Sequence, residues 1–567
     1  MFKVSNRQVR LCLYGLLLGS TVTLSSAAED FATRVLREQQ QTLRTEQERL
    51  RIERWQRRQE PVEHHTERQP PVHADTQCWR LDGIRLRGNR RLDEHTLRQA
   101  LQPLLTACVG VEGINRILRA LTARYVAAGY PTSRPTLLGQ PEDGAPLDIF
   151  IDEGFVERIE LADPTEALSL RGAFPGVLGE PLYLPQLEQG LDQLNRLRAF
   201  EFGLDVLPGE LQGGSRIRLH NRQPDKRWHL DARLDNRGTA YGGRHRLNLT
   251  FGLDSPLGLN GDLRLYAQRL VFHAPGQSLA WGGSYSLPYG AWTFAGFVAQ
   301  SQHETPIPQT RLRSHGATQL LGANVERLLW RGQRGLLSSA LRVSHKRLHS
   351  DLNGWRIDVQ SPQLLTADLG VNLLWRGPGL WYASLGLGYG QSVSDDPKRR
   401  SAAPRFNQYR ASLLHRRALS ADASLSLQSQ IEAQYSPDPL PAIEQLALNN
   451  DNAVRGFRER SVAAASGLSW RNELGQTFSL SWWPGLAVRP HLALDVGWAR
   501  HHRAARLERR QGEVDSQRLI GAAVGLDLQL PGRQQLRLQY QRALHASDLP
   551  RHALEPGFWA VEWQLNL

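Results

Sequence analysis

From Trp228 to the last residue the sequence keeps returning to one pattern, short runs in which apolar and polar residues alternate, separated by Gly, Pro, Asp and Asn. In Leu365, Ala367, Leu369, Val371, Leu373 and Trp375 one face is apolar, while Thr366, Asp368, Gly370, Asn372 and Leu374 lie between. Ser424 to Tyr435 repeats the scheme, with Leu425, Leu427, Ile431, Ala433 and Tyr435 set against Ser426, Gln428, Gln430, Glu432 and Gln434. Trp381–Tyr389 and Leu279–Leu287 do likewise. A period of two puts successive side chains on opposite faces of a strand. About sixteen such runs begin near 228, 245, 261, 278, 292, 318, 335, 364, 379, 405, 423, 467, 489, 518, 534 and 558. An apolar and a polar face sustained over strands of ~10 residues suit a barrel with lipid outside and water inside. A soluble sandwich buries its apolar face and rarely keeps such long strands over so much chain. The expected fold is a membrane β-barrel of sixteen antiparallel strands spanning 226–567.

The connections carry a second alternation. After the second, fourth, sixth, eighth and tenth runs they are tight, as at Trp330–Gly335, Arg376–Gly379 and Ser420–Ala423. Between them lie longer ones, such as His303–Ala317 and Ser392–Pro404. Short turns usually face the periplasm and long loops the outside. With an even strand count both barrel ends then meet the periplasm, where anything N-terminal to the barrel must sit. The longest excursion, 436–466, follows the eleventh run and so belongs outside; it contains Val454-Arg455-Gly456-Phe457.

Ahead of the barrel the chain reads in pieces. Residues 1–28 look like a signal peptide: Lys3, Arg7 and Arg10 precede the short apolar run Leu11–Gly19, and Ser26-Ala27-Ala28 offers small residues for cleavage. That run is far below the ~20 residues that a spanning helix needs. Residues 29–59, dense in Glu, Arg, Gln and Leu and free of Gly and Pro, form a good helix with a thin apolar stripe. Its ~45 Å length at ~1.5 Å per residue would pass through a membrane-spanning pore; a frayed polar tail is the alternative reading. Residues 60–77, with Pro61, Pro70 and Pro71, read as a linker, and His64 and His65 there as solvated rather than metal-binding. Two small α/β modules follow, at 78–154 and 155–225. The first has a strand over Trp79–Arg87, helices over Leu92–Leu105 and Ile114–Ala128, and a strand over Leu147–Asp152. The second has strand Phe155–Leu161, helix Leu184–Leu197 and strands near Phe202–Leu207 and Ser215–Leu219. Cys12 falls in the signal; Cys78 and Cys108 remain, an even pair that in an exported protein reads as a disulfide.

At these residues the sequence resembles the TpsB transporters of two-partner secretion, the haemolysin secretion/activation (ShlB/FhaC/HecB, CdiB-like) proteins of the BamA-like superfamily. The resemblance covers nearly all of the chain beyond the signal. It rests on Cys78…Cys108, Gly113-Ile114-Asn115 and Gly129-Tyr130-Pro131-Thr132-Ser133-Arg134 in the first module. Leu187-Glu188-Gln189-Gly190-Leu191 and Leu194-Asn195 carry it in the second, with Asp235-Asn236-Arg237-Gly238 and Val454-Arg455-Gly456-Phe457 in the barrel. The resemblance implies that the modules are POTRA domains, that 29–59 is a plug helix in the pore, and that 436–466 is an inward-folded loop six. It further implies that Arg455 meets an acidic residue on the wall. The family pattern there is Phe-x-Asp-x-Gly, and Ala493-Leu494-Asp495-Val496-Gly497 matches it at Asp495 and Gly497. An Arg455–Asp495 pair is the expectation, with Gly456 letting the loop tip turn. The chain ends in Leu567 where the family usually has an aromatic residue.

The function so implied is an outer-membrane pore that secretes a large partner exoprotein (a TpsA-type haemolysin, adhesin or contact-dependent toxin) from periplasm to cell surface without ATP. The partner would bind the POTRA domains. Other implied partners are outer-membrane lipid and the barrel-assembly machinery, and the implied state is a monomer. The alternative is a BamA-like factor that inserts other barrels; such relatives typically carry five POTRA domains and no plug helix. The net charge of +13, almost all arginine beyond Lys3, Lys226, Lys346 and Lys398, is scattered along the runs rather than gathered, which speaks against nucleic acid. There is no Gly-x-Ser-x-Gly elbow, His-Glu-x-x-His pair or phosphate-binding Gly-x-x-x-x-Gly-Lys loop, and the adjacent His501 and His502 offer no ordered base and nucleophile. The expectation is a non-enzyme with no cofactor and no metal.

Overall fold

The computed structural model describes residues 78–567 apart from 308–309, 394–403, 449–452, 461, 481 and 501–515. The expected signal, plug helix and linker, and His501–His502, lie outside the described residues.

The alternating segment closes into an antiparallel barrel. Its sixteen long strands, numbered here in chain order, are Trp228–Asp235, His245–Asp254, Asp262–Val271, Gln277–Tyr289, Trp292–Pro306, Arg313–Gly332, Gly335–Leu352, Gln363–Arg376, Leu380–Ser392, Arg405–Ala418, Leu425–Tyr435, Ser466–Gln476, Ala487–Arg500, Ser516–Leu530, Gln534–Ala546 and Phe558–Asn566. Each starts within about five residues of the position read from the alternation, because the change of period that marks a strand is also what places its apolar face. The faces sort as lipid and water demand. In the eighth strand Leu369, Val371 and Trp375 are exposed outward, whereas Thr366 is buried inward. Trp330 and Trp375 stack on the outer surface near one rim, the level at which aromatic side chains meet the membrane interface. Among the described residues no helix is long and apolar enough to cross a membrane.

Each module is a three-stranded sheet with helices on it. In the first, Ile84–Arg87 pairs in parallel with Leu147–Asp152, which pairs with Arg134–Leu137. The helix Val111–Ala127 buries Ile114, Ile117, Leu121 and Tyr125 on that sheet. The expected strand Trp79–Arg87 is two pieces: Cys78–Trp79 pairs separately with Val109–Gly110, and Gly83, at φ +109°, separates it from Ile84. The disulfide Cys78–Cys108 lies at this small pairing, with Cα atoms 5.4 Å apart. The expected first helix shortens to Glu94–Leu101, capped by Asp93 and continued as a single 3₁₀ turn at Pro103. The edge strand Arg134–Leu137 was not expected; with proline at its second position it has weak strand character. The second module orders Phe155–Leu161, Gly214–Asn221 and Phe202–Pro208, with helix Leu184–Asn195 burying Leu187 and Leu194.

The second module is docked on the short-turn end of the barrel. Asn260, between strands two and three, exchanges hydrogen bonds with Ser169: the Ser169 N–H donates to Asn260 Oδ1 at 2.8 Å, and Asn260 Nδ2 donates to the Ser169 carbonyl at 2.7 Å. Gln189 and Gln193 donate to the Gly290 carbonyl between strands four and five at 3.2 and 2.9 Å. Arg331, at the turn between strands six and seven, meets Asp192 and Gln189. Three successive even-numbered connections thus face the modules, as the alternation of loop lengths requires.

Candidate functional site: loop six on the barrel wall

The excursion 436–466 does not stay at the rim. Its tip turns inward and packs on the inner faces of strands twelve to fifteen. Leu492 and Leu494 of strand thirteen point out to the lipid face, so the alternation turns Asp495 inward, where it is fully buried. Arg455 meets it there. Its Nε donates to Asp495 Oδ2 at 2.7 Å and its Nη2 to Oδ1 at 2.9 Å, a two-pronged fork onto one carboxylate. The Arg455 backbone N–H also donates to Oδ2, at 3.0 Å, so the carboxylate fixes main chain and side chain together.

Arg455 holds a second carboxylate, with Nη1 donating to Glu473 Oε2 of strand twelve at 3.0 Å. From there charge of alternating sign crosses the wall. Glu473 Oε1 accepts from Arg489 at 2.7 Å, Arg489 reaches Asp527 Oδ2 at 3.0 Å, and Arg537 donates to Asp527 Oδ1 at 2.6 Å. Three guanidinium groups face three carboxylates, so buried charge is matched rather than left alone, which would cost several kcal/mol per ion. Glu473, His491 and Asp527 are close enough to share a cation. All four carboxylate oxygens already accept from arginine, which leaves a metal no charge to neutralise.

Glycines let the loop come this close. Gly456 sits at φ +92°, and a Cβ there would lie 2.4 Å from the Arg542 carbonyl carbon. Its N–H donates to Gln541 Oε1 at 3.1 Å. A Cβ on Gly497 would meet Val454 at 2.7 Å, and one on Gly521 would meet the Arg455 carbonyl oxygen at 1.8 Å. Val454 and Phe457, both buried, pack with Leu448, Val462, Ala499, Leu519 and Ala543. The structure therefore brings together Val454, Arg455, Gly456, Phe457, Asp495 and Gly497. Cys78 and Cys108 lie apart, in the first module. Sequence reasoning did not single out Glu473, Gly521 or Gln541. Gly521 had a signal, as an isolated glycine inside a strand marks a bulge or a close approach. The register of strands fourteen and fifteen does shift between Ile520 and Gly521.

Further out, Glu555 accepts three consecutive backbone N–H groups of the loop, from Arg458, Glu459 and Arg460, at 2.7, 3.0 and 2.7 Å. Arg458 lies over the Phe558 ring, 3.7 Å from its centre, and Arg460 pairs with Asp548. The Glu459 carboxylate accepts the Ala240 N–H at 2.9 Å. The loop is thereby tied to the segments flanking both the first and the last strand.

Residues 213–528 match the profile of the haemolysin secretion/activation protein family ShlB/FhaC/HecB, more than half of the chain. The chain belongs to the ShlB/FhaC/HecB family. Within it, residues 79–154 match the ShlB-type POTRA domain and 155–208 a further POTRA domain. The haemolysin transporter protein ShlB of Serratia marcescens is 33% identical over 491 residues, covering 85% of this chain and 83% of the relative. The outer membrane transporter CdiB of Dickeya dadantii is 28% identical over 542 residues, 92% of this chain and 93% of that one. The solved structure of CdiB from Escherichia coli superposes with a TM-score of 0.80 at 25% identity, covering 94% of this chain and 98% of that one. Like other ShlB/FhaC/HecB proteins, the chain is an outer-membrane β-barrel with POTRA domains on its periplasmic side.

Proposed function

We propose that this chain is the outer-membrane pore through which a large TpsA-type exoprotein leaves the periplasm for the cell surface. The observation that carries the reading is a membrane barrel with two POTRA domains docked at one end and a loop fastened to its inner wall by Arg455. The relatives' description as transporters of haemolysin or as CdiB supports it. An exported, extended partner adds its strands to an exposed POTRA sheet edge, such as Phe202–Pro208, where main-chain hydrogen bonds give affinity without sequence selection. Residues 29–59 act as a helix that plugs the lumen at rest and leaves it for secretion. Loop six, released from the wall, rearranges, and the partner passes unfolded. Folding outside biases the direction, so no nucleotide is consumed and no bond is made or broken. The assembly-factor alternative has no observation that favours it, because two POTRA domains and a CdiB-like barrel both suit a secretion pore.

Deleting residues 29–59 tests the pore in planar bilayers. A rise in conductance over the full chain is expected; unchanged conductance would remove the plug from the account.

A further inference from the structure

Loop six touches a second stretch of wall, away from Arg455. Its first arm carries Glu444, whose side chain is 2% exposed. The carboxylate pairs with Lys346 of strand seven, itself 3% exposed. It also accepts from Gln408 Nε2 of strand ten at 3.3 Å and lies 3.5 Å from Arg410 Nη2. The Glu444 carbonyl accepts from Gln434 of strand eleven at 2.9 Å. Beside this group Leu440 and Ile443 of the arm pack against Leu348, Leu364 and Phe406 of the wall. Lys346 is one of four lysines in a chain that otherwise uses arginine for positive charge, and it stands where a compact ammonium must fit between strand and loop.

Two buried carboxylate–cation contacts to different strands hold the loop to the wall at two points, Glu444 and Arg455. The partners of Arg455 lie on strands twelve and thirteen, those of Glu444 on strands seven, ten and eleven. They share no residue. We infer that Glu444 and Lys346 are positioning residues that form a second buried fastening of loop six, independent of Arg455 and of the outer contacts with Glu555, so that freeing Arg455 alone does not release the loop. This deepens the gating reading of loop six, but it is tested without any secreted partner.

The test uses the full chain in liposomes, in a Cys12→Ser background, with Ala447→Cys as reporter. Ala447 is buried between the two fastenings, and Cys78 and Cys108 are tied up in their disulfide. Reaction with a water-soluble maleimide reports the loop leaving the wall. Glu444→Gln is combined with Lys346→Met so that no buried charge is orphaned and Arg410 keeps Asp368, 3.0 Å away. Adding that neutral pair to Arg455→Ala should raise the labelling rate roughly tenfold over Arg455→Ala alone, about what loss of one further fastening on the same loop would give. A merely structural ion pair, replaced without charge imbalance, would leave the rate unchanged, and that result overturns the inference. If the combined variant does not assemble, Glu444→Asp with Arg455→Ala gives the second reading. A shortened carboxylate should label at an intermediate rate, and a rate equal to that of Arg455→Ala alone overturns the inference. A chain that secretes nothing yet shows the tenfold rise would sink the transporter reading and keep the second fastening.

Discussion

At the residue scale the site is decided by shape as much as by charge. Arg455 uses Nε, Nη1 and Nη2 on two carboxylates, a geometry that lysine cannot copy. Arg455→Lys should therefore lower the urea midpoint of the folded form nearly as far as Arg455→Ala; a parental midpoint would mean that charge alone holds the loop tip. Asp495→Asn leaves the guanidinium with one carboxylate, and breaking a buried pair from one side costs about 3–5 kcal/mol. The loss should appear as a lower urea midpoint for the heat-modifiable folded form, and an unchanged midpoint would contradict the pairing. Gly521→Ala is a sharper case. It adds one methyl where the Arg455 carbonyl oxygen lies, so it should free the loop tip while every charge stays in place. An unchanged urea midpoint in this variant would mean that the tip does not sit where the structure has it.

The first POTRA domain supplies a titration. The Tyr125 hydroxyl donates to Glu153 at 3.1 Å, and Glu153 also accepts the backbone N–H groups of Arg90 and Arg91. Burial first, and the Glu153 charge second, push the Tyr125 hydroxyl up. A folded-state value above the unfolded one favours the neutral phenol in the native state. The stabilisation is whole below the ordinary value near about 10 and is lost as pH rises through the folded-state value. In a tyrosinate absorbance titration Tyr125 should ionise late, and Tyr125→Phe should remove one late-ionising tyrosine. A titration unchanged by the substitution would contradict the assignment.

At the scale of elements, what was legible follows one rule: local periodicity is written in the sequence, and long-range register is not. Sixteen strands could be read because lipid and water impose period two on each strand separately. The Arg455–Asp495 expectation came from a resemblance at Asp495 and Gly497, not from any local signal. Glu444 was invisible, because its partners lie on strands seven, ten and eleven, and only the closed barrel brings those strands under one loop. The split of the first module's leading strand was missed for a related reason. Cys78–Trp79 finds its partner at Val109–Gly110 across two helical segments, a pairing that no window of sequence contains. The disulfide there closes a 30-residue separation, and in the chain-entropy picture such a loop is worth about 3–4 kcal/mol. Cys108→Ser should therefore sensitise the first domain to proteolysis and leave the barrel's heat-modifiability unchanged; loss of both together would mean that the domain and the barrel do not fold as separate units. Glu555 belongs to this scale too. It satisfies three loop N–H groups at once, and Glu555→Ala should free the outer segment 458–460 without disturbing the fork on Asp495.

At the scale of the whole molecule three parts meet. The POTRA end is held by hydrogen bonds to three barrel turns, loop six is fastened inside, and the outer segment of that loop joins the flanks of the first and last strands. Those two strands pair over only Asp231–Asp235 and Glu562–Asn566, whereas strands fourteen and fifteen pair from Leu519 to Leu530. Asn236 extends the short seam with its side chain, donating to the Trp559 carbonyl at 2.9 Å and accepting the Val561 N–H at 2.8 Å. In the proposed mechanism loop six is the element whose position decides whether the lumen is open to a partner.

The most direct measurement is secretion in whole cells: this chain is co-expressed with a candidate large exoprotein from the same source, with and without Arg455→Ala. The account predicts that the exoprotein reaches the medium only when the chain is present, and that Arg455→Ala sharply reduces it while the barrel still assembles. Secretion indifferent to the chain, together with a general loss of outer-membrane barrels when the chain is removed, would contradict it and point to an assembly factor.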